Sequence, residues 1–116
     1  GTGLPLREFL WSEDMADACV FLMENVSFAD LKPEGEVRNT HINISTGKEI
    51  RIKALAELIS SVVGFQGKLE FDTTKPDGTM RKLTDVSKLH ALGWRHQVEI
   101  EEGIRKMLEW YKSSTE

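Results

Sequence analysis

The stretch HINISTGKEIRIKALAELISSVVG, residues 41–64, combines two periodicities and points to the fold class. Residues 41–45 alternate polar and apolar side chains, which predicts a short strand, and residues 46–48 have the composition of a turn. The apolar residues that follow recur at helical spacing, and Gly64 is suited to end that helix in a left-handed conformation. They are Ile52, Leu55, Ala56, Ile59, Val62 and Val63. A strand followed by an amphipathic helix predicts a small mixed α/β domain.

The residues before this stretch predict a helix and a loop. Ser12 is suited to accept a hydrogen bond from a free N–H of a first turn, so we expect it to cap a helix from Glu13 to about Val26. Cys19 lies on the apolar stripe of that helix and is expected in the core. The segment Phe28–Asn39 is rich in charge and contains Pro and Gly, so it is predicted to be a loop.

The residues after the stretch predict a second strand and two more helices. The strand is expected at Lys68–Phe71, and Asp85 is expected to cap a short helix over Val86–Leu92. A last helix is predicted from Ile100 to about Tyr111 by its apolar spacing and by the glutamates at its start. The tryptophans Trp11, Trp94 and Trp110 are expected to anchor the core or an interface.

The composition indicates one globular domain and excludes some functions. The chain has 116 residues, 40% of them hydrophobic and 29% charged, with a formal net charge of −4 and a pI near 5.4. An acidic chain is a poor general binder of nucleic acid, because such a protein needs excess Lys and Arg. One cysteine forms no internal disulfide framework, which fits a cytoplasmic protein. No apolar run predicts a transmembrane helix, and the start in a Gly-rich loop without Met suggests a fragment.

Two basic segments are the candidate binding chemistry. Arg7 follows a Gly/Pro-rich turn and offers a fork that matches a phosphate, although a surface pair with Glu8 or another acid explains it at least as well. In KPDGTMRK, residues 75–82, a Pro-Asp-Gly turn would hold Lys75, Arg81 and Lys82 in place. Asp77 in that turn is suited either to accept hydrogen bonds from sugar or ribose hydroxyls, or to close the turn on its own backbone.

No catalytic set is visible in the chain. The three histidines and the single cysteine lack metal-ligand spacing. The sequence contains no Gly-x-Gly-x-x-Gly fingerprint, no phosphate-binding P-loop and no Gly-x-Ser-x-Gly elbow. Tyr111 is followed four residues later by Thr115 and not by Lys, so it cannot form a Tyr-x-x-x-Lys pair.

Five motifs in this order carry a resemblance to a known family: GLPLREFL (3–10), EDMA (13–16), HINISTG (41–47), KPDGTMRKL (75–83) and LGW (92–94). Together they resemble the C-terminal part of the GDP-L-fucose synthases, which belong to the extended short-chain dehydrogenases/reductases. The resemblance covers nearly the whole chain. The first and fourth motifs are the most particular to this family, and Met80 stands where the family usually has proline.

The resemblance implies a two-domain enzyme of which residues 1–116 are the C-terminal nucleotide-sugar-binding domain. An N-terminal Rossmann half would bind NADP(H) and carry the catalytic Ser, Tyr and Lys, so the fragment alone would be inactive. The intact enzyme would epimerise GDP-4-keto-6-deoxy-D-mannose and reduce its ketone with NADPH to give GDP-L-fucose. The resemblance also implies a homodimer.

The resemblance also assigns roles to single residues. Arg7 would contact the substrate's diphosphate, Lys82 would be a second cation there, and Asp77 would contact the nucleotide part. Lys75 and Arg81 are further candidates beside them. Two alternatives remain open: the C-terminal domain of another nucleotide-sugar epimerase or dehydratase, and a stand-alone binding module with no enzyme attached.

Overall fold

A computed structural model describes residues 1–32 and 37–115, and helices dominate it. The elements in chain order are β1 Leu6–Arg7, α1 Ser12–Asn25, α2 Phe28–Leu31, β2 Ile50–Arg51, α3 Ile52–Val63, α4 Ser87–Ala91 and α5 Ile100–Ser114. β1 and β2 pair antiparallel, with Leu6 opposite Arg51 and Arg7 opposite Ile50. The predicted small mixed α/β domain is therefore confirmed.

The long helices follow their sequence pattern closely. Gly64 ends α3 with a φ of 71°, the left-handed conformation expected of it. α5 begins directly after Glu99 and carries Glu101 and Glu102 in its first turn, where the helix dipole favours acids. The predicted Ser12 cap is wrong: the extended residue before α1 is Trp11, and Ser12 is already the first helical residue.

The two strands predicted at residues 41–45 and 68–71 are wrong. No backbone pairing involves residues 41–45 or 68–71 in the described part of the chain, and alternation alone does not supply a hydrogen-bonded neighbour. Side chains hold residues 41–44 instead: Lys88 Nζ donates to the carbonyls of Asn39 and His41, and Asn43 donates to the Asp85 carbonyl at 3.0 Å.

Two short helices differ from the prediction: α4 differs in its bounds, and α2 was not predicted at all. The Asp85 carboxylate accepts the Ser87 N–H at 2.9 Å, so it supports the start of α4, but the residue in the capping position is Val86. α2 lies inside the segment predicted as a loop, where Ser27 donates both its N–H and its hydroxyl to Asp30. Residues 33–36 of that segment lie outside the described residues.

The core is built where α1 meets α4 and the segment after it. Ala18, Leu89 and Trp94 are buried, and Leu10, Phe21, Leu22, Ile42 and Ile44 pack around them. The indole N–H of Trp94 donates to Asp17 Oδ2 at 2.8 Å, so this buried ring has a hydrogen-bond partner. Its expected role as a core anchor is confirmed. Cys19 is exposed, which corrects its predicted core position: the core meets the Ala18 side of α1, and Cys19 lies one residue further round the helix.

The domain is flat and leaves much apolar surface uncovered. Its Cα radius of gyration is 18.0 Å and its extents are 57 × 37 × 19 Å, whereas compact domains of 100 residues have radii of about 13 Å. Met15, Val20 and Met23 of α1 are exposed, as are Met107, Trp110 and Tyr111 of α5. Among the described residues, no helix has the length and apolar character that crossing a bilayer requires.

Candidate functional site

A cleft of about 310 Å³ opens between the N-terminal loop, the start of α3 and the segment 70–77. Ten residues line it: Gly1, Gly3, Pro5, Arg7, Ile52, Glu70, Phe71, Asp72, Pro76 and Asp77. The structure therefore brings two of the predicted site residues, Arg7 and Asp77, into one cleft. Lys75, Arg81 and Lys82 do not line it.

Arg7 is a half-buried residue of β1 whose charge is not balanced by an ion pair within the described residues. Its Nη1 donates to the Leu6 carbonyl at 2.6 Å, and it makes no ion pair with any residue in the described ranges. The alternative pairing with Glu8 is not formed: Glu8 Oε2 accepts the Thr84 N–H at 2.7 Å, and the buried Glu8 Oε1 has no hydrogen-bond partner among the described residues. Four of the five guanidinium N–H groups of Arg7 thus keep their capacity to bind an anion.

Asp77 holds the N-terminal loop in place. Its Oδ1 accepts the Thr2 N–H and its Oδ2 accepts the Thr2 hydroxyl, both at 2.5 Å. The Thr2 hydroxyl and then the Thr2 N–H hold the pKa of Asp77 below its ordinary value, because both bonds favour the ionised form. A carboxylate has about four acceptor positions, so room remains for a hydroxyl donor from a ligand.

Gly3 is required by the backbone at the base of the cleft. It has a φ of +76°, and its carbonyl accepts the Lys53 N–H at 2.8 Å at the start of α3. A Cβ built there would lie 2.5 Å from Cε1 of Phe71 and 3.0 Å from Cβ of Lys53. Glycine therefore lets the Phe71 ring pack directly on the loop.

We expect Gly3→Ala to lower the free energy of unfolding by roughly 2 kcal/mol, because it combines a strained φ with a steric clash. Gly64→Ala is the matched control, since Gly64 has a φ of +71° and no atom within 4 Å of a Cβ. That control should lose about 1 kcal/mol. Urea unfolding followed by circular dichroism measures both, and equal losses would show that Phe71 yields to the methyl group.

The hydrogen-bonded turn of the basic loop lies at residues 72–75, before the predicted Pro76-Asp77-Gly78 turn. The Asp72 side chain accepts the N–H and hydroxyl of Thr74, and the Asp72 carbonyl accepts the Lys75 N–H at 3.3 Å. Gly78 nevertheless has the positive φ expected of it, +69°. The Met80 carbonyl accepts the Leu6 N–H at 2.9 Å, which holds this part of the loop against β1.

The two basic segments run side by side. The Leu6–Met80 backbone bond and the Glu8–Thr84 bond bracket Arg7 on one segment and Lys82 on the other. Lys82 is exposed and, like Lys75, has no ion pair with any residue of 1–32 or 37–115. Arg81 is already paired with Glu49, whose carboxylate raises the pKa of Arg81 through its hydrogen bonds and its charge.

Sequence reasoning missed the long-range contacts that hold this arrangement. Glu8, Glu49 and the Asp77–Thr2 pair join residues that are 32 to 76 positions apart. No local pattern marks such partners, since an acid on a predicted loop is usually solvated. The histidines do not assemble a site either, because no group of three or more His, Cys, Asp or Glu side chains among the described residues is arranged to hold a metal ion.

Known proteins resemble the chain over nearly its whole length. GDP-L-fucose synthase 1 from Arabidopsis thaliana is 50% identical over 111 residues, which cover 96% of this chain and 31% of that protein. A solved GDP-6-OMe-4-keto-L-xylo-heptose reductase from C. jejuni superposes with a TM-score of 0.94 at 47% identity, over 98% of this chain and 33% of that one. No protein-family model matches the sequence.

Over nearly its whole length the chain is homologous to GDP-L-fucose synthases, and its structural neighbours are GDP-sugar reductases and epimerases of the extended short-chain dehydrogenase/reductase family. Within this family it corresponds to a C-terminal part of the GDP-L-fucose synthases, and it spans about a third of the length of the curated relatives it matches. A GDP-mannoheptose C4 reductase of Campylobacter jejuni with NADP bound has a TM-score of 0.86 at 46% identity over 97% of this chain and 33% of that one. The resemblance inferred from the five motifs is confirmed.

Proposed function

We propose that residues 1–116 are the GDP-sugar-binding domain of a GDP-L-fucose synthase. The intact enzyme converts GDP-4-keto-6-deoxy-D-mannose to GDP-L-fucose by epimerisation and NADPH-dependent reduction. The observation that carries the proposal is a cleft lined by Arg7, which makes no ion pair within the described residues. The segment that contains Lys82 runs alongside the strand of Arg7. A diphosphate is recognised by cations that approach from more than one direction.

In this proposal each site residue has a definite part. Arg7 binds the diphosphate through its planar fork, and Lys82 adds a point charge from the neighbouring segment. Asp77 accepts a hydroxyl of the nucleotide part while it holds Thr2. Lys75 is exposed at the rim of the loop and contributes long-range attraction. The net charge of −4 does not prevent this, because the cations need to form only one local positive region.

NADP(H) belongs to the missing part of the enzyme. The chain has no Gly-rich fingerprint of the kind that binds the pyrophosphate of a dinucleotide. The cofactor supplies the hydride for the ketone reduction, and an N-terminal Rossmann half would hold it together with the catalytic Ser, Tyr and Lys. The 116 residues alone are therefore expected to be catalytically inactive.

The same proposal accounts for the uncovered apolar surface. Met15, Val20 and Met23 of α1, with Met23 87% exposed, would pack against the Rossmann half in the intact chain. The intact enzyme is proposed to be a homodimer whose contacts lie in that half. A single cysteine, exposed on α1, fits a reducing cytoplasm.

NADPH consumption by the full-length protein tests this function. The expected result is oxidation of NADPH with GDP-4-keto-6-deoxy-D-mannose, formation of GDP-L-fucose, and no reaction with the corresponding UDP-linked ketosugar. Turnover of the UDP-linked sugar instead would indicate another nucleotide-sugar epimerase or dehydratase. A full-length protein that binds nucleotide sugars but oxidises no NADPH with either would indicate a binding module.

A further inference from the structure

Three contacts hold residues 80–84 in place. Their partners are Leu6 in β1, Glu8 just after β1, and Glu49 just before β2. The Leu6 N–H donates to the Met80 carbonyl at 2.9 Å, Arg81 pairs with Glu49, and the Thr84 N–H donates to Glu8 at 2.7 Å. Lys82 lies between the last two of these contacts. Its backbone is thus fixed on both sides while its side chain extends into solvent.

The Arg81–Glu49 contact is a two-pronged ion pair. Arg81 Nε donates to both carboxylate oxygens of Glu49, at 2.8 and 3.0 Å, and Nη2 lies 2.8 Å from Oε2. The Glu49 side chain is only 12% exposed, whereas that of Arg81 is 62% exposed. An exposed pair contributes little by itself, but a nearly buried carboxylate bound at two positions fixes the orientation of the guanidinium.

We propose that Glu49 and Arg81 are positioning residues for Lys82 in nucleotide-sugar binding. This inference rests on the proposed function. Glu49 already compensates the charge of Arg81, so the cation left for the ligand on this segment is Lys82. A lysine on a flexible loop loses conformational freedom when it binds, and a segment that is already held in place lowers that cost.

The test is calorimetric titration of GDP into the full-length protein and its variants. Glu49→Gln keeps the shape of the side chain and removes its charge, and we expect a roughly fivefold weaker Kd, as for Arg81→Ala. Arg81→Lys keeps the charge but loses the fork, so it should weaken binding as much as alanine does. In a Lys82→Ala background, Glu49→Gln should change the Kd by less than about twofold, because the group it positions is gone.

Glu101→Gln is the matched control, since it breaks a similar charged pair, with Arg105 at 2.7 Å, within helix α5. Unchanged or tighter binding in Glu49→Gln, with weaker binding in Arg81→Ala, would mean that Arg81 contacts the phosphates directly and would overturn the inference. If Glu49→Gln still weakened the Kd fivefold in the Lys82→Ala background, the pair would not act through Lys82. Its role would then be structural only, and the inference would be overturned. Wild-type protein that binds no GDP would overturn the proposed function itself, and the inference with it.

Discussion

Replacing Asp14 with alanine is expected to lower the free energy of unfolding by about 3 to 4 kcal/mol. Asp14 is only 6% exposed, and its Oδ2 accepts the N–H groups of Gln97 at 3.1 Å and Val98 at 2.9 Å. Hydrogen bonds to a charged acceptor are the stronger kind, and alanine leaves both N–H groups without a partner. The change also disconnects α1 from the segment that leads into α5.

Urea unfolding with tryptophan fluorescence measures this loss. Asp14→Asn keeps one acceptor oxygen and should lose about 1 kcal/mol, so it gives a graded value even if the alanine variant does not fold. Glu24→Ala, an exposed acid on the same helix, is the control and should change stability by less than about 0.5 kcal/mol. An alanine variant at position 14 as stable as the control would refute the role of this carboxylate.

Replacing Arg7 with alanine is expected to weaken binding of a GDP-sugar roughly 50-fold, because hydrogen bonds to a charged group are worth about 1.5–3 kcal/mol. Among the described residues, the side chain's one hydrogen bond is to the Leu6 carbonyl, so stability should change little. Calorimetric titration of the full-length protein with GDP-mannose measures the loss. Arg7→Lys should lose about tenfold, since the ammonium keeps the charge but not the fork.

The control for this prediction is Lys112→Ala, which removes one positive charge from the last turn of α5. It tests whether the affinity depends on total charge or on the position of Arg7. An Arg7→Ala variant with wild-type affinity would remove this residue from the site. An equal loss in both variants would indicate long-range attraction in place of a contact.

The long helices α1, α3 and α5 were predictable because their information is local. The apolar residues of α3 and α5 repeat every three to four positions, and Gly64 marks an end that only a left-handed residue provides. The strands were not predictable, because a strand forms only where a second strand offers backbone hydrogen bonds to it. Residues 41–45 alternate polar and apolar side chains, yet they form no backbone pairing with any described residue. β1 and β2 have two residues each, which is too short to show any alternation.

The sequence pointed to two residues that line the cleft, but not to the contacts that hold them in place. Arg7 and Asp77 were expected to serve one ligand, and they line one cleft. The sequence did not indicate that Thr2 binds Asp77 or that Glu49 binds Arg81, since these partners are 75 and 32 residues apart. Only the three-dimensional structure shows which cation remains free and which is already neutralised.

Titration of the full-length protein with GDP-mannose, and with UDP-glucose as the control, tests the central claim most directly. The account predicts that GDP-mannose binds, that UDP-glucose binds at least tenfold more weakly, and that Arg7→Ala and Lys82→Ala both reduce the affinity for GDP-mannose. Binding of UDP-glucose as tight as that of GDP-mannose, or GDP-mannose binding that is insensitive to both variants, would contradict it.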